Sequence, residues 1–184
     1  EAVEGYRRFI QVRASHSKLP VARFRLGLAY YEQIPSEWFL VPPAHERDQI
    51  ATKQALNHFA SFIEDYPKHK KRPKAEKLAR RCATALAQHE LYAARFYLKQ
   101  DKPLATALRI RTLLRTFPQA QLIDAALALL LAALQAAAQP KVARVAQDAI
   151  GDRKDPPSLI NAIQRQIAKV KQLPEPPQPK LQRL

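Results

Sequence analysis

A chain of 184 residues fills one domain by default and can bury roughly 70% of the surface it exposes when unfolded. Three glycines against abundant Ala, Leu, Gln and Arg favour an all-helical chain over a sheet protein. The single cysteine, Cys82, excludes an intramolecular disulfide and a cysteine-built zinc framework. A formal charge of +15 implies attraction to something anionic, whether nucleic acid, a lipid surface or an acidic protein.

Glu1 to Arg13 reads as the second helix of a hairpin, with Ala2, Tyr6 and Phe9 on one face and no first helix upstream to pack on them. Pro20 opens the next helix. Phe24, Leu28 and Tyr31 form its stripe, and Gly27 and Tyr30 stand where a hairpin needs a small and an aromatic residue. An insertion after Gln33 holds three prolines and the cluster Trp38, Phe39, Leu40. It either folds back onto the body or forms a lip that contacts a partner, since exposed aromatic clusters mark interaction sites.

Ile50 to Tyr66 is helical and closed by Pro67. The stretch from Lys68 to Arg81 follows, with eight Lys/Arg in fourteen residues and a single acid. It is either a solvated turn leading into the polar face of a Lys74–Gln88 helix, or an electrostatic patch centred on Lys70, Lys71, Arg72 and Lys74. Aromatics are not interleaved as base stacking would require, which argues against sequence-specific nucleic-acid readout.

Ala87 to Pro118 reads as two helices and a tight turn. Ala87, Leu91, Ala94 and Leu98 recur at helical spacing, and Ala93 and Tyr97 widen that stripe. Tyr92 and Phe96 add a further apolar side, so this helix is expected to be covered on more than one side. Asp101-Lys102-Pro103 breaks it, because proline cannot donate and restricts the residue before it. The second helix carries Ala107, Ile110, Leu114 and Phe117 on one face and Arg109, Thr112 and Thr116 on another.

Ala120 to Ala138 is nearly unbroken Ala and Leu. A membrane span needs about 20 predominantly apolar residues, and Asp124 inside one would cost roughly 3 kcal/mol, so a buried helix is the better reading. Pro140 starts its partner, Lys141 to Ile150, and Gly151 suits the cap. After Pro156-Pro157, Ile160, Ile163, Ile167 and Val170 line one face of a terminal capping helix. The final stretch, residues 173–184, reads as a Pro-rich extended tail outside a repeat domain spanning 1–172.

A pattern repeats along the chain: Ala2-Tyr6-Phe9, Ala55-Phe59-Phe62 and Thr106-Ile110-Leu113, at spacings of 53 and 51 residues. These exceed the usual 34-residue tetratricopeptide period, so insertions or lengthened helices are expected between units. The fold class is therefore all-α, a right-handed α-solenoid of tetratricopeptide-like helical hairpins with a C-terminal capping helix. No catalytic or cofactor signature emerges. His16, His45, His58, His69 and His89 lack metal-ligand spacing, His89-Glu90 is not followed by the second histidine of a zinc protease, and no phosphate loop or nucleophile elbow occurs.

Leu86-Ala87, His89-Glu90-Leu91, Ala94 and Phe96-Tyr97, followed by Arg109 nine places before Pro118, resemble the BamD (YfiO, ComL-like) family of outer-membrane β-barrel assembly lipoproteins. Arg25-x-Gly27-Leu28, the aromatic insertion ending Arg47-Asp48-Gln49, and Tyr66-Pro67 extend the likeness to about Ile150. The resemblance implies a non-enzymatic scaffold of the β-barrel assembly machinery, without cofactor or nucleic acid, on the periplasmic face of the outer membrane of a Gram-negative bacterium. It implies as partners a BamA-type insertase, docked through its POTRA domains, other lipoproteins of the machinery, and unfolded outer-membrane proteins. It makes Arg109 the arginine facing an acidic POTRA residue, with Thr112, Arg115 and Thr116 beside it as protein-binding residues. Relative to the family, the lipid-bearing cysteine and part of the N-terminal repeats do not appear. With no methionine either, the chain is expected to be a mature form or a piece of a longer protein. Two other readings stay open: a cell-envelope repeat adaptor with a different protein client, and a basic helical-repeat binder of RNA or another anionic polymer.

Overall fold

Proline sets the starts of many helices in this chain. Its fixed φ suits the first turn, where its missing N–H has no intrahelical partner to lose. The computed structural model describes residues 1–34 and 48–172, and among them the regular structure is entirely α-helical. In order the helices are α1 (Ala2–Val12), α2 (Leu19–Tyr31), α3 (Ile50–Asp65), α4 (Arg72–Lys99), α5 (Pro103–Thr116), α6 (Ile123–Ala136), α7 (Pro140–Ile150) and α8 (Pro157–Lys171). Proline occupies the first or second position of α2, α5, α7 and α8. The expected contact loop at Trp38, Phe39 and Leu40, and the Pro-rich tail, lie outside the described residues.

Two compact units, Glu1–Tyr92 and Ala93–Leu184, divide the chain at a point inside α4. In the first, α1 packs on α2 and α2 on α3. Their core is Phe24, Leu26 and Tyr30 from α2, Ala55, Phe59 and Phe62 from α3, and Ala75, Leu78 and Cys82 from α4. Each fully buried large apolar side chain contributes about 1.5–3 kcal/mol, so the three phenylalanines dominate this core. Gly27 is the close-approach point: a Cβ there would come within 2.9 Å of the Phe59 ring. Leu28 and Tyr31 of the expected stripe are only half-buried, because Gly27 and Tyr30 turn the buried face toward α3.

In the second unit α5 packs on α6 and α7, and α8 covers both α6 and α7. The Ala/Leu-rich segment is α6, with Ala126, Leu127, Leu130, Ala133 and Leu134 fully buried, and no described helix is long and apolar enough to cross a membrane. Ile160, Ile163, Ile167 and Val170 are the buried residues of α8. Gly151 ends α7 at φ +50, a conformation that L side chains rarely adopt.

The repeat register holds as far as burial goes in two of three places. Ala55, Phe59 and Phe62 are completely buried, and so are Thr106, Ile110 and Leu113. Thr106 stands where the pattern elsewhere has Ala because its hydroxyl donates within its own environment, 3.2 Å from the Lys102 carbonyl and 3.4 Å from that of Ala94. In α1 the matching Tyr6 and Phe9 are half-buried and Ala2 is exposed. All-helical hairpins in this register make the fold tetratricopeptide-like.

Two expectations change. The windows read as a Lys74–Gln88 helix and a separate helix from Ala87 are one continuous helix, α4, of 28 residues. Between Lys74 and Lys99 there is neither Gly nor Pro, so nothing local interrupts it. The expected cover over Tyr92 and Phe96 is incomplete, since Phe96 is 50% exposed and touches the ring edge of Tyr97.

Candidate protein-docking site

The turn between α4 and α5 builds the site. The Asp101 N–H reaches the Leu98 carbonyl and the Lys102 N–H reaches that of Tyr97, with Asp101 at φ +53. That pair of bonds with a left-handed residue is a Schellman end, and aspartate is among the few non-glycine residues that tolerate the conformation. Pro103 then starts α5. The sharp reversal lays α5 back along the last turns of α4 and brings Arg109 over the ring of Tyr97, its guanidinium carbon 5.8 Å from the ring centre.

Around that pair lies a shallow depression of about 360 Å³ lined by Tyr97, Ala105, Leu108, Arg109, Arg111 and Thr112. Leu108 is 37% exposed, an apolar residue left at the surface beside an arginine and a tyrosine. Arginine presents a rigid donor fork, and stacking on an aromatic ring holds it with little further loss of freedom. Aromatic and arginine residues are the types that carry most of the binding energy at protein interfaces.

Of the residues expected to act with Arg109, Thr112 lines the depression. Thr116 is exposed at the end of α5. Arg115 is engaged elsewhere: it pairs with Asp148 of α7, which also accepts from Arg111 at 3.4 Å. Both arginines are more than a third exposed, so these pairs set the α5–α7 register more than they add stability. Sequence reading missed Asp148, Arg111 and Tyr97 as members of this surface. A signal existed for Tyr97 and for Asp148. Tyr97 and Arg109 straddle the Pro103 turn symmetrically, and Arg115 and Asp148 are 33 residues apart, close to one tetratricopeptide period.

The basic patch is also redistributed. Lys71 places its Nζ 5.1 Å from the centre of the Phe24 ring, and Arg72 pairs with Glu76 at 3.1 Å while donating to the Pro67 carbonyl at 3.2 Å. Lys70 and Lys74 remain outward and exposed. Cys82 is buried in the first unit, and burial pushes its thiol up to about 11. Among the described residues no three His, Cys, Asp or Glu side chains group as a metal site would require.

Residues 1–149 match the family model YfiO, described as outer membrane lipoprotein. Among curated proteins, the chain is 28% identical over 123 residues to the outer membrane protein assembly factor BamD of Xylella fastidiosa (strain 9a5c), covering 65% of this chain and 41% of the relative. It is 25% identical over 147 residues to the BamD of Neisseria meningitidis serogroup A, covering 78% and 54%. The chain thus spans about half the length of these relatives.

Proposed function

The chain belongs to the YfiO family of outer membrane lipoproteins, and on that premise we propose that it is a non-catalytic scaffold in outer-membrane protein assembly. Its C-terminal repeats dock on the periplasmic POTRA region of a BamA-type insertase, at the periplasmic face of the outer membrane, alongside the other lipoproteins of the machinery. The observation that carries this reading is Arg109, held over Tyr97 beside the exposed Leu108. A fixed cation next to surface apolar area suits a partner with an acidic residue framed by apolar ones.

The work of such a site is positional. Arg109 would pair with a carboxylate of the partner, Leu108 and the Tyr97 ring would lose water, and the insertase would be held in one arrangement. The test is binding of a purified POTRA fragment to wild type and to Arg109→Glu. The substitution replaces attraction by repulsion, so affinity should fall by on the order of a hundredfold or more, with the helical circular dichroism unchanged. Unchanged affinity removes Arg109 from the interface.

A further inference from the structure

Seen by exposure, the basic stretch is a stripe. From Lys70 to Gln88, the exposed positions are Lys70, Pro73, Lys74, Lys77, Arg80, Arg81, Thr84 and Gln88, and none is acidic. Lys74, Lys77 and Arg81 follow helical spacing along one face, with Arg80 at its margin and Lys70 leading in from the turn. The one acid within the stretch, Glu76, is half-buried and tied to Arg72.

This arrangement is electrostatically unfavourable for the protein alone. Neighbouring cations on one helix face lie about 5–6 Å apart and repel, within a screening length of about 8 Å at physiological salt. They also crowd the positive end of the α4 dipole, whose first turn holds no acidic residue. Both effects reverse sign beside a negative surface.

We propose that the Lys70–Lys74–Lys77–Arg81 stripe is a docking surface for the anionic headgroups of a phospholipid bilayer. Three observations select the bilayer among negative partners. The stripe exposes no aromatic residue, so nucleic-acid bases have nothing to stack on. It exposes no large apolar residue, so a protein partner has no anchor to bury, whereas a lipid surface needs only clustered Lys and Arg. The chain also belongs to a family of outer membrane lipoproteins, and a polybasic patch adds to the membrane affinity that a lipid chain alone supplies. This inference is independent of POTRA docking, since the stripe lies in the first unit and Arg109 in the second.

The test is co-sedimentation of the 184-residue chain with vesicles of phosphatidylcholine, with and without phosphatidylglycerol. Binding should require phosphatidylglycerol and fall steeply as salt is raised. The variant K70Q/K74Q/K77Q/R81Q should bind roughly a hundredfold more weakly. The variant K141Q/R144Q/R165Q/K169Q, which removes the same charge from exposed positions of the second unit, should bind within about threefold of wild type. Circular dichroism confirms that both are folded. Three results overturn the proposal: no binding to the anionic vesicles at low salt, equal loss in both variants, or capture by polyglutamate or RNA through the stripe with none by vesicles.

Discussion

Replacing Gly27 with alanine tests the account of the first unit most sharply, because two physical effects of opposite sign compete there. In a helix interior, glycine to alanine gains about 1 kcal/mol from backbone entropy. Against it stands the approach of α3: the new methyl would lie 2.9 and 3.0 Å from two carbons of the Phe59 ring and 3.4 Å from the Cβ of His58. The ring cannot step aside cheaply. Phe59 is fully buried, with the rings of Phe24 and Tyr31 at 6.0 and 6.4 Å between centroids. Overpacking a close-packed core costs about 1–3 kcal/mol, so Gly27→Ala should be net destabilising by about 1 kcal/mol. That corresponds to a melting shift of about 2–4 °C for a chain of this size. Urea unfolding followed by far-ultraviolet circular dichroism measures it, and Phe59→Leu completes a double-mutant cycle. The cycle should show coupling, with the alanine much better tolerated when leucine makes room. Stabilisation by Gly27→Ala in the otherwise native chain would refute the close α2–α3 approach.

The other predictions concern titration and access. His58 stacks on Tyr30 at 5.2 Å, and burial first, then the charges of Arg7 and Arg23, hold its pKa below the ordinary 6.5. The unfolded chain therefore binds a proton before the folded one does. Stability should be full above pH 6.5 and decline as pH falls through the folded pKa, and His58→Gln should flatten that part of the profile. A wild-type profile unchanged by the substitution would count against it. Cys82, buried and with its thiol raised to about 11, should react slowly with iodoacetamide in the folded protein and readily in urea. Fast alkylation under native conditions would show that α4 is not seated on α2 and α3 as described.

Much of the helical skeleton was legible from local chemistry. Prolines mark the starts of α2, α5, α7 and α8, and the isoleucine and valine spacing of α8 names its buried residues. The Ala55-Phe59-Phe62 and Thr106-Ile110-Leu113 registers both locate fully buried faces. Such signals survive in the sequence because a proline's missing donor and a helix's period act within a few residues of themselves. The length of α4 was misread: composition changes midway and invited a division there, although no Gly or Pro between Lys74 and Lys99 interrupts the helix.

Tertiary packing decided what each side chain meets. Lys71 and Arg72 read as equals of Lys70 and Lys74, yet the fold lays one on the Phe24 ring and ties the other to Glu76 and Pro67. Tyr6 and Phe9 share the register of the fully buried faces but stay half-exposed, because burial depends on what lies opposite. Arg109 and Arg115 sit on one helix, and only the meeting of α5 with Tyr97 and with Asp148 separates the one facing the depression from the one pairing with α7. The sequence by itself set each helix and its apolar side, since both follow from neighbours within a turn or two. The partners of each cation come from residues up to 47 positions away, as with Lys71 and Phe24, and only the packed chain brings them together.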